Sequence, residues 1–370
     1  MKKFLKSNAT LIALLVMWVI LAGISDVFFT PRNLSNLTLQ VTTIGIIAVG
    51  MTMVILLGGI DLSVGSLVGL SAIIVTLLMH HGVNVWLAII IDILIVGVLV
   101  GLWNGFWIAK YKMPPFIVTL AMMTVARGTA MVLSNGSSVP VTDSVFPLIG
   151  GAFISKSLSS ILLLIGVVFA IYGIMNGVKQ KKKYNIKVNN GEIIYNIVLT
   201  ILGFGFAFMV FEGYKGIPFA VAIFIAVVFA GVFILRKTKF GRNIYATGGN
   251  EEAARLSGIN IFGVNLSVYT LIAILSAISG IILASRLNGA SPNLGTMFEL
   301  DAIASVAIGG TSLSGGSGTI TGTIIGTLII GTLNNGMSLM GISSFYQLIV
   351  KGLIILLAVW FDVASKKKKA

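Results

Sequence analysis

The chain has 370 residues, of which 57% are hydrophobic and only 10% are charged, and its mean hydropathy is +1.05. Soluble domains carry roughly 25% charged residues, and a soluble core could not bury this much apolar surface. The composition therefore predicts an all-α polytopic membrane protein. The net charge of +14 lies in short clusters between apolar runs, which indicates membrane topology rather than a nucleic-acid partner. Because the chain has no cysteine, disulfides and thiolate metal sites are excluded, and we expect no metal or cofactor.

Apolar segments of about 20 residues predict about ten to twelve transmembrane helices in one domain that covers residues 1–370. The segments lie at 10–28, 39–57, 62–80, 85–109, 114–133, 158–175, 193–211, 218–235, 264–284, 302–309, 320–333 and 346–361. Segment 302–309 is too short to cross unaided, so it either crosses with help from its neighbours or re-enters the membrane. Hydropathy does not decide between these two arrangements.

Basic residues mark one side of the predicted membrane. Nineteen of the 25 lysines and arginines lie in clusters at 2–6, 110–112, 179–187, 236–255 and 366–369, which alternate with nearly neutral loops. Cytoplasmic loops of membrane proteins carry such an excess of Lys and Arg. We therefore predict that these clusters and both termini are cytoplasmic.

Two Gly-rich stretches, 58–66 and 309–317, share the pattern G-G-x-x-L-S-x-G-S, and each follows a short apolar segment. Glycine costs about 1 kcal/mol relative to Ala inside a helix, and loosened backbone survives in a membrane only beside protein or a water-filled cavity. Broken segments in corresponding places of two related halves are typical of a transport pathway. The alternative is two turns outside the membrane. The glycines that we expect to shape the breaks are Gly58, Gly59, Gly65, Gly309, Gly310 and Gly316.

Polar side chains within the predicted spans are candidates for the substrate pathway, because an ionisable group there costs at least about 2.5 kcal/mol. The candidates are Asp61, Ser63, Asn104, Arg127, Glu299, Asp301, Thr311 and Ser314. For Asp61, Ser63, Thr311 and Ser314 we expect mid-membrane depth. In the structural alternative some of these groups neutralise one another, for instance Arg127 with an acid, and this interpretation is preferred for the further residue Asp92.

The sequence contains no arrangement of residues that is typical of catalysis. The two histidines, His80 and His81, are adjacent at the end of a span, and no Ser/His/Asp arrangement is apparent. The pattern G-x-x-x-x-G-K-[ST] is also absent, so a P-loop for ATP hydrolysis is excluded. We therefore predict a transporter subunit and not an enzyme.

The polar loop 236–262 contains a short predicted helix with signals at both ends. Asn250 is a favourable N-cap, Glu251 and Glu252 suit the positive end of the helix dipole, and Gly258 suits the C′ position. A helix of two turns is not stable alone in water, so it must pack on the protein's own helix ends or on a cytoplasmic partner.

Four blocks of this chain resemble the permease subunits of ABC importers, in the branch that imports monosaccharides such as ribose, xylose, galactose and arabinose. The residues E-A-A-x-x-x-G at 252–258 match the coupling loop of those permeases, within the run G-R-N-I-Y-A-T-G-G-N-E-E-A-A-R-L-S-G-I. The other blocks are G-G-I-D-L-S-V-G-S, P-P-F-I-V-T-L-A-M-M-T-V-A-R-G and E-L-D-A-I-A-S-V-A-I-G-G-T-S-L-S-G-G-S-G-T. The resemblance covers residues 33–362, and an extra-helix insertion at 176–235 is similar to the xylose or multiple-sugar type.

The resemblance implies a homodimer of permeases in the bacterial inner membrane, with a cytoplasmic sugar-type ATPase and an extracytoplasmic sugar-binding protein as partners. It implies alternating access driven by ATP, and a pentose such as xylose or ribose, or galactose, as substrate. The residues it assigns to ATPase coupling are Asn250, Glu251, Glu252, Ala253, Ala254, Arg255 and Gly258. Two alternatives stay open: a nucleoside permease of the same superfamily, and an ion-coupled secondary transporter that uses Asp61 or Asp92 as a proton site.

Overall fold

The computed structural model describes residues 9–186 and 189–367, which are helical over most of their length. The predicted all-α fold is confirmed, with one two-stranded sheet added: β1 (Val139–Pro140) and β2 (Gly289–Ala290). The helices are α1 (Ala9–Ile24), α2 (Pro31–Leu56), α3 (Val64–His80), α4 (Val85–Tyr111), α5 (Pro115–Leu133), α6 (Phe146–Gly151), α7 (Lys156–Lys183), α8 (Asn190–Glu212), α9 (Phe219–Lys237), α10 (Lys239–Gly249), α11 (Glu251–Leu256), α12 (Ile261–Leu287), α13 (Phe298–Ile308), α14 (Ile320–Leu339) and α15 (Ser344–Lys367). Helix α4 is π-helical over Ile93–Leu99.

Seven of the described helices are long and apolar enough to cross a membrane: α2, α4, α5, α7, α8, α9 and α12. Helices α1 and α3 and the first part of α15, Ser344–Ile354, are apolar but shorter. The predicted polytopic character is therefore confirmed. Three predicted features lie outside the described residues: the basic cluster at 2–6, Lys187 and the tail positions 368–369.

Helices α2, α3 and α12 form the centre of the bundle. The most apolar window of α2 is 94% buried and that of α12 is 67% buried. A strongly apolar helix belongs in a protein interior or in lipid, and these two are enclosed by their neighbours. Helices α7 and α8 show the opposite arrangement, since only 6% of each window is buried.

The hairpin of α7 and α8 packs chiefly within itself, whereas α9 joins the core. A Cβ at Gly231 of α9 would lie 2.7 Å from Val49 Cγ1 of α2 and 2.8 Å from Ile320 Cδ1 of α14. The predicted insertion at 176–235 therefore overlaps both a peripheral hairpin and a core helix. Its limits remain a prediction.

Three glycines of α4, at intervals of four residues, let this helix approach α12 closely. A Cβ at Gly97, Gly101 or Gly105 would lie 2.9, 2.5 or 2.9 Å from a Cα atom of α12. Small residues at this spacing allow two membrane helices to pack backbone against backbone. The pattern G-x-x-x-G-x-x-x-G is visible in the sequence and was a usable signal for this contact.

The uncertain segment 302–309 forms part of a continuous crossing of the bundle. Leu57 and Ile261 line one cavity, so the C-terminal end of α2 and the N-terminal end of α12 lie together. Helix α12 has 27 residues, about 40 Å, and carries the chain away to the sheet of β1 and β2 at the opposite end. From there the chain returns through irregular residues 291–297 and α13. It is back at the first end of the bundle at Gly316, whose amide donates a hydrogen bond to the carbonyl of Leu56.

Candidate translocation and coupling sites

The first break, residues 57–63, separates α2 from α3 and encloses a buried polar cluster. Gly58 has a φ of +83°, which a side chain at this turn would resist. Asp61 and Ser63 are fully buried. Asp61 Oδ1 accepts hydrogen bonds from the Ser63 amide at 2.8 Å and from Ser63 Oγ at 2.6 Å, and Asn104 Nδ2 donates to Ser63 Oγ at 3.3 Å. The structure thus brings together three of the residues predicted for the pathway.

Several polar atoms around this cluster have no hydrogen-bond partner among the described residues. They are Asp61 Oδ2, Asn104 Oδ1 and Tyr269 Oη. A Cβ at Gly59 would overlap the Tyr269 hydroxyl, so this hydroxyl lies directly against the first break. Buried polar groups without partners are rare and tend to mark functional positions or bound water. Tyr269, on α12, was not recognised from the sequence, because a lone tyrosine in an apolar span gives no signal.

The second break, residues 309–319, separates α13 from α14. Gly310, Gly315 and Gly316 have φ values of +84°, +85° and +69°, and the Ser312 amide donates to the Ser317 carbonyl at 2.8 Å. Thr311 is buried, whereas Ser314 is exposed.

The glycines of the two patterns play different parts in the breaks. Gly309 caps α13 in the αR conformation, and a Cβ there would lie 2.5 Å from the carbonyl carbon of Gly322 in α14. Gly65 lies inside α3 rather than in the break, and a Cβ there would overlap the Glu299 carboxylate. Gly65 therefore permits close packing at the start of α3, and its predicted part in shaping the break stays a prediction.

The two breaks touch each other and loop 236–262. Gly316 N donates to Leu56 O at 2.9 Å, and a Cβ at Gly315 would lie 2.8 Å from the carbonyl oxygen of Gly248. These contacts lie at the end of the bundle that carries the polar loop, and the mid-membrane depth expected for Asp61, Ser63, Thr311 and Ser314 stays a prediction.

Arg127 and Glu299 lie at an open cavity of about 460 Å³ on the side of α5. Arg127 Nη1 donates hydrogen bonds to the carbonyl of Pro292 and to that of Leu294, the latter at 3.0 Å. Arg127 Nη2 donates to the Gly65 carbonyl at 3.4 Å. The guanidinium thus holds the irregular residues 291–297 against α3. The rest of the cavity is lined by Ser66, Met123, Thr124, Gly128, Met131 and Thr296.

Asp301 stands apart from the other pathway candidates. Lys351 Nζ of α15 lies 2.9 Å from Asp301 Oδ2, and the two side chains are 17% and 3% exposed. This buried ion pair joins α13 to α15. The assignment of Asp301 to the substrate pathway stays a prediction.

The predicted short helix is α11, and both of its end signals act as expected. Asn250 Oδ1 accepts a hydrogen bond from the Ala253 amide at 2.9 Å. Gly258 follows the helix with a φ of +80°, and the Ile259 amide donates to the Ala254 carbonyl at 3.1 Å. Such a left-handed glycine closes the last turn with a backbone hydrogen bond.

The surface of α11 divides into an inward and an outward side. Glu252 and Arg255 form an exposed ion pair of 2.6 Å, and the hydrogen bond from Arg255 lowers the pKa of the Glu252 carboxyl below its ordinary value. Leu256 is 77% exposed, and Ala253 is exposed as well. Ala254 is buried against the permease itself, and its assignment to ATPase coupling stays a prediction.

A cavity of about 480 Å³ opens beside α11, between it and the neighbouring ends of α4, α5 and α12. Glu251, Arg255 and Lys112 supply its charged lining, and Pro114 and Phe262 are among its apolar lining residues. A groove with an apolar floor and charged edges can receive a side chain from a protein partner.

Comparison with known proteins identifies the family. The family model described as "Branched-chain amino acid transport system / permease component" matches residues 33–359. The chain belongs to this permease family. It is therefore a permease component and not an enzyme, and the family resemblance predicted from the four sequence blocks is confirmed.

The similar curated proteins are sugar permeases. The chain is 40% identical to the xylose transport system permease protein XylH of Escherichia coli strain K12, over 92% of this chain and 87% of that protein. It is 39% identical to XylH of Haemophilus influenzae, over 97% of this chain and 96% of that protein. It is 42% identical to the ribose import permease protein RbsC of Bacillus subtilis, over 97% and 92% of the two chains. Among solved structures the comparison finds no match.

Proposed function

We propose that this permease is the membrane subunit of an ATP-driven, binding-protein-dependent importer of a monosaccharide, namely a pentose such as xylose or ribose, or galactose. The observation that carries this proposal is the identity of 39–42% to xylose and ribose permeases over more than nine tenths of the chain. The family description names branched-chain amino acids, but the similar curated permeases are named for sugars. The proposed location is the bacterial inner membrane, with both termini in the cytoplasm.

A cytoplasmic ATPase would dock on loop 236–262. Leu256 is an exposed apolar anchor, and the cavity beside α11 has Glu251, Arg255 and Lys112 in its lining. Interfaces of this kind are held mainly by a few well-packed anchors, while charged groups at the edge fix orientation. The Glu252–Arg255 pair would be one of these charged groups at the edge of the interface. On the other side of the membrane, an extracytoplasmic binding protein would deliver the sugar.

The substrate would pass along the open side of α5 in a homodimer of two permeases. Only 22% of the most apolar window of α5 is buried. Its exposed side carries a polar strip with Thr124 and Gly128 beside the cavity of Arg127, among exposed apolar side chains such as Val125 and Val132. The polar strip would face a water-filled path between two copies, and the apolar side chains around it would pack against the partner copy. Charged and hydroxyl side chains there can hydrogen-bond the hydroxyl groups of a sugar.

Alternating access would then depend on the two breaks. They meet at the end of the bundle nearest the proposed ATPase, where Gly316 of the second break bonds to Leu56, the residue just before the first break. Closure of the ATPase pair would move α11, and the breaks would part or close in response. The buried cluster of Asp61, Ser63 and Asn104 would stiffen the first break during this movement.

The decisive test is transport by purified components in proteoliposomes. Permease, ATPase and binding protein should together take up labelled xylose, ribose or galactose when ATP is supplied, and an ATPase variant without its P-loop lysine should not. Uptake of nucleosides but not sugars would favour the first alternative. Sugar uptake by the permease alone, driven by a proton gradient, would refute the proposal and favour an ion-coupled transporter.

The homodimer can be tested by cross-linking, because the chain has no native cysteine. Thr124→Cys on the exposed side of α5 should form a disulfide-linked dimer on mild oxidation in membranes. Phe169→Cys is the matched control, since Phe169 is 70% exposed on the peripheral helix α7. Cross-linking of the control alone would show that the subunits meet elsewhere.

A further inference from the structure

The last turn of α10 packs directly against the main chain of both breaks. Tyr245 Oη donates a hydrogen bond to the carbonyl of Gly318 at 2.9 Å. One turn later, a Cβ at Gly248 would overlap the carbonyl oxygen of Leu56 and would lie 2.9 Å from the amide nitrogen of Gly316. Helix α10 therefore lies against the end of α2 and the second break at the same point.

Three main-chain segments meet at this point. Gly316 N donates to Leu56 O at 2.9 Å, and Gly248 lies against this hydrogen bond. A Cβ at Gly315 would lie 2.8 Å from the Gly248 carbonyl oxygen and 3.1 Å from the Gly58 amide nitrogen. These are main-chain contacts between glycines and Leu56, so no side-chain rotamer can absorb a relative movement.

The same turn is joined to α11 by one residue. Helix α10 ends at Gly249, and Asn250 caps both the end of α10 and the start of α11. A movement of α11 must therefore pass to Gly248 or distort Asn250, whose side chain is held by its own capping bond. Close-packed elements tend to shift between discrete arrangements rather than deform gradually.

We propose that Gly248 is a positioning residue for energy coupling, which transmits the movement of α11 to both breaks at once. This inference rests on the proposed importer function, and it adds a specific route by which ATP hydrolysis reaches the two breaks. Gly248 does not touch the ATPase or the sugar in this scheme, because it lies on the side of α10 that is packed against Leu56 and the second break.

The chain supplies a matched control for this inference at the next position. A Cβ at Gly249 would have no neighbour within 4 Å. Gly248→Ala and Gly249→Ala therefore make the same chemical change at adjacent positions of one helix, and they differ in whether the new methyl group meets the breaks.

The experiment compares both variants in the complete complex of permease, ATPase and binding protein in proteoliposomes. The measured quantities are sugar transported per ATP hydrolysed and the amount of ATPase that co-purifies. Gly248→Ala should lower the transport ratio roughly tenfold, as expected for an overpacked contact, with ATPase co-purification unchanged. Gly249→Ala should match wild type in both quantities.

Tyr245→Phe is the second variant, because a methyl group at Gly248 can also impair folding. It removes only the hydrogen bond to the Gly318 carbonyl, and it should lower the transport ratio about threefold at normal expression. The inference would be overturned if Gly248→Ala and Gly249→Ala transported the same amount of sugar per ATP hydrolysed. If Gly248→Ala does not accumulate in the membrane, a normal transport ratio for Tyr245→Phe would overturn it instead. If the proposed importer function itself were wrong, the wild-type complex would show no ATP-dependent sugar uptake.

Discussion

Replacing Lys351 with methionine tests whether Asp301 is a structural group. The two charged atoms are 2.9 Å apart, and both side chains are mostly buried. At an effective dielectric constant of about 20, unit charges at this separation attract each other by about 6 kcal/mol. The net contribution is smaller because both groups lose their hydration, but removing one partner leaves a buried, uncompensated charge. We expect Lys351→Met to lower the free energy of unfolding by about 3–5 kcal/mol.

The double variant Asp301→Asn with Lys351→Met separates the two roles of Asp301. It removes both charges, so most of the lost stability should return, since replacing a whole buried ion pair by neutral groups is often close to neutral. The assay is unfolding of the purified permease in mixed micelles, followed by tryptophan fluorescence, together with sugar uptake in cells. We expect the double variant to unfold nearly as wild type does and to retain uptake.

Two results would refute this reasoning. If Lys351→Met alone left stability unchanged, the ion pair would not hold α13 to α15. If the double variant were stable but unable to take up sugar, the carboxylate of Asp301 would act in transport, as the sequence had suggested.

Three further predictions concern helix packing, docking and the pathway. Gly101→Ala places a methyl group 2.5 Å from a Cα atom of α12, so thermal unfolding should show a permease destabilised by about 1–3 kcal/mol. The control Gly173→Ala meets no neighbour and should be neutral or slightly stabilising in the same assay. Leu256→Asp removes an exposed apolar anchor and should reduce ATPase co-purification at least about tenfold while expression stays normal. Arg127→Met leaves three main-chain carbonyls without their charged donor, so uptake should fall more than about tenfold with ATPase co-purification unchanged.

The sequence by itself determined those properties that depend on local composition or on short-range bonds. An apolar chain with basic clusters must form transmembrane helices, because unpaired backbone groups cannot remain in lipid. The ends of α11 were equally predictable, since the side chain of Asn250 and the backbone of Gly258 act within one helical turn. The two breaks could be located from their glycines, although their depth in the bundle could not.

Tertiary structure alone decided which distant residues became partners. Asp301 and Lys351 are 50 positions apart, and nothing in either segment specifies the other until α13 and α15 pack together. Gly248 reads as an ordinary turn residue in the sequence, and only the fold places it against the hydrogen bond between Leu56 and Gly316. The physical reason is that a glycine's neighbours are set by the approach of whole helices, which depends on shape complementarity over many residues rather than on any local pattern.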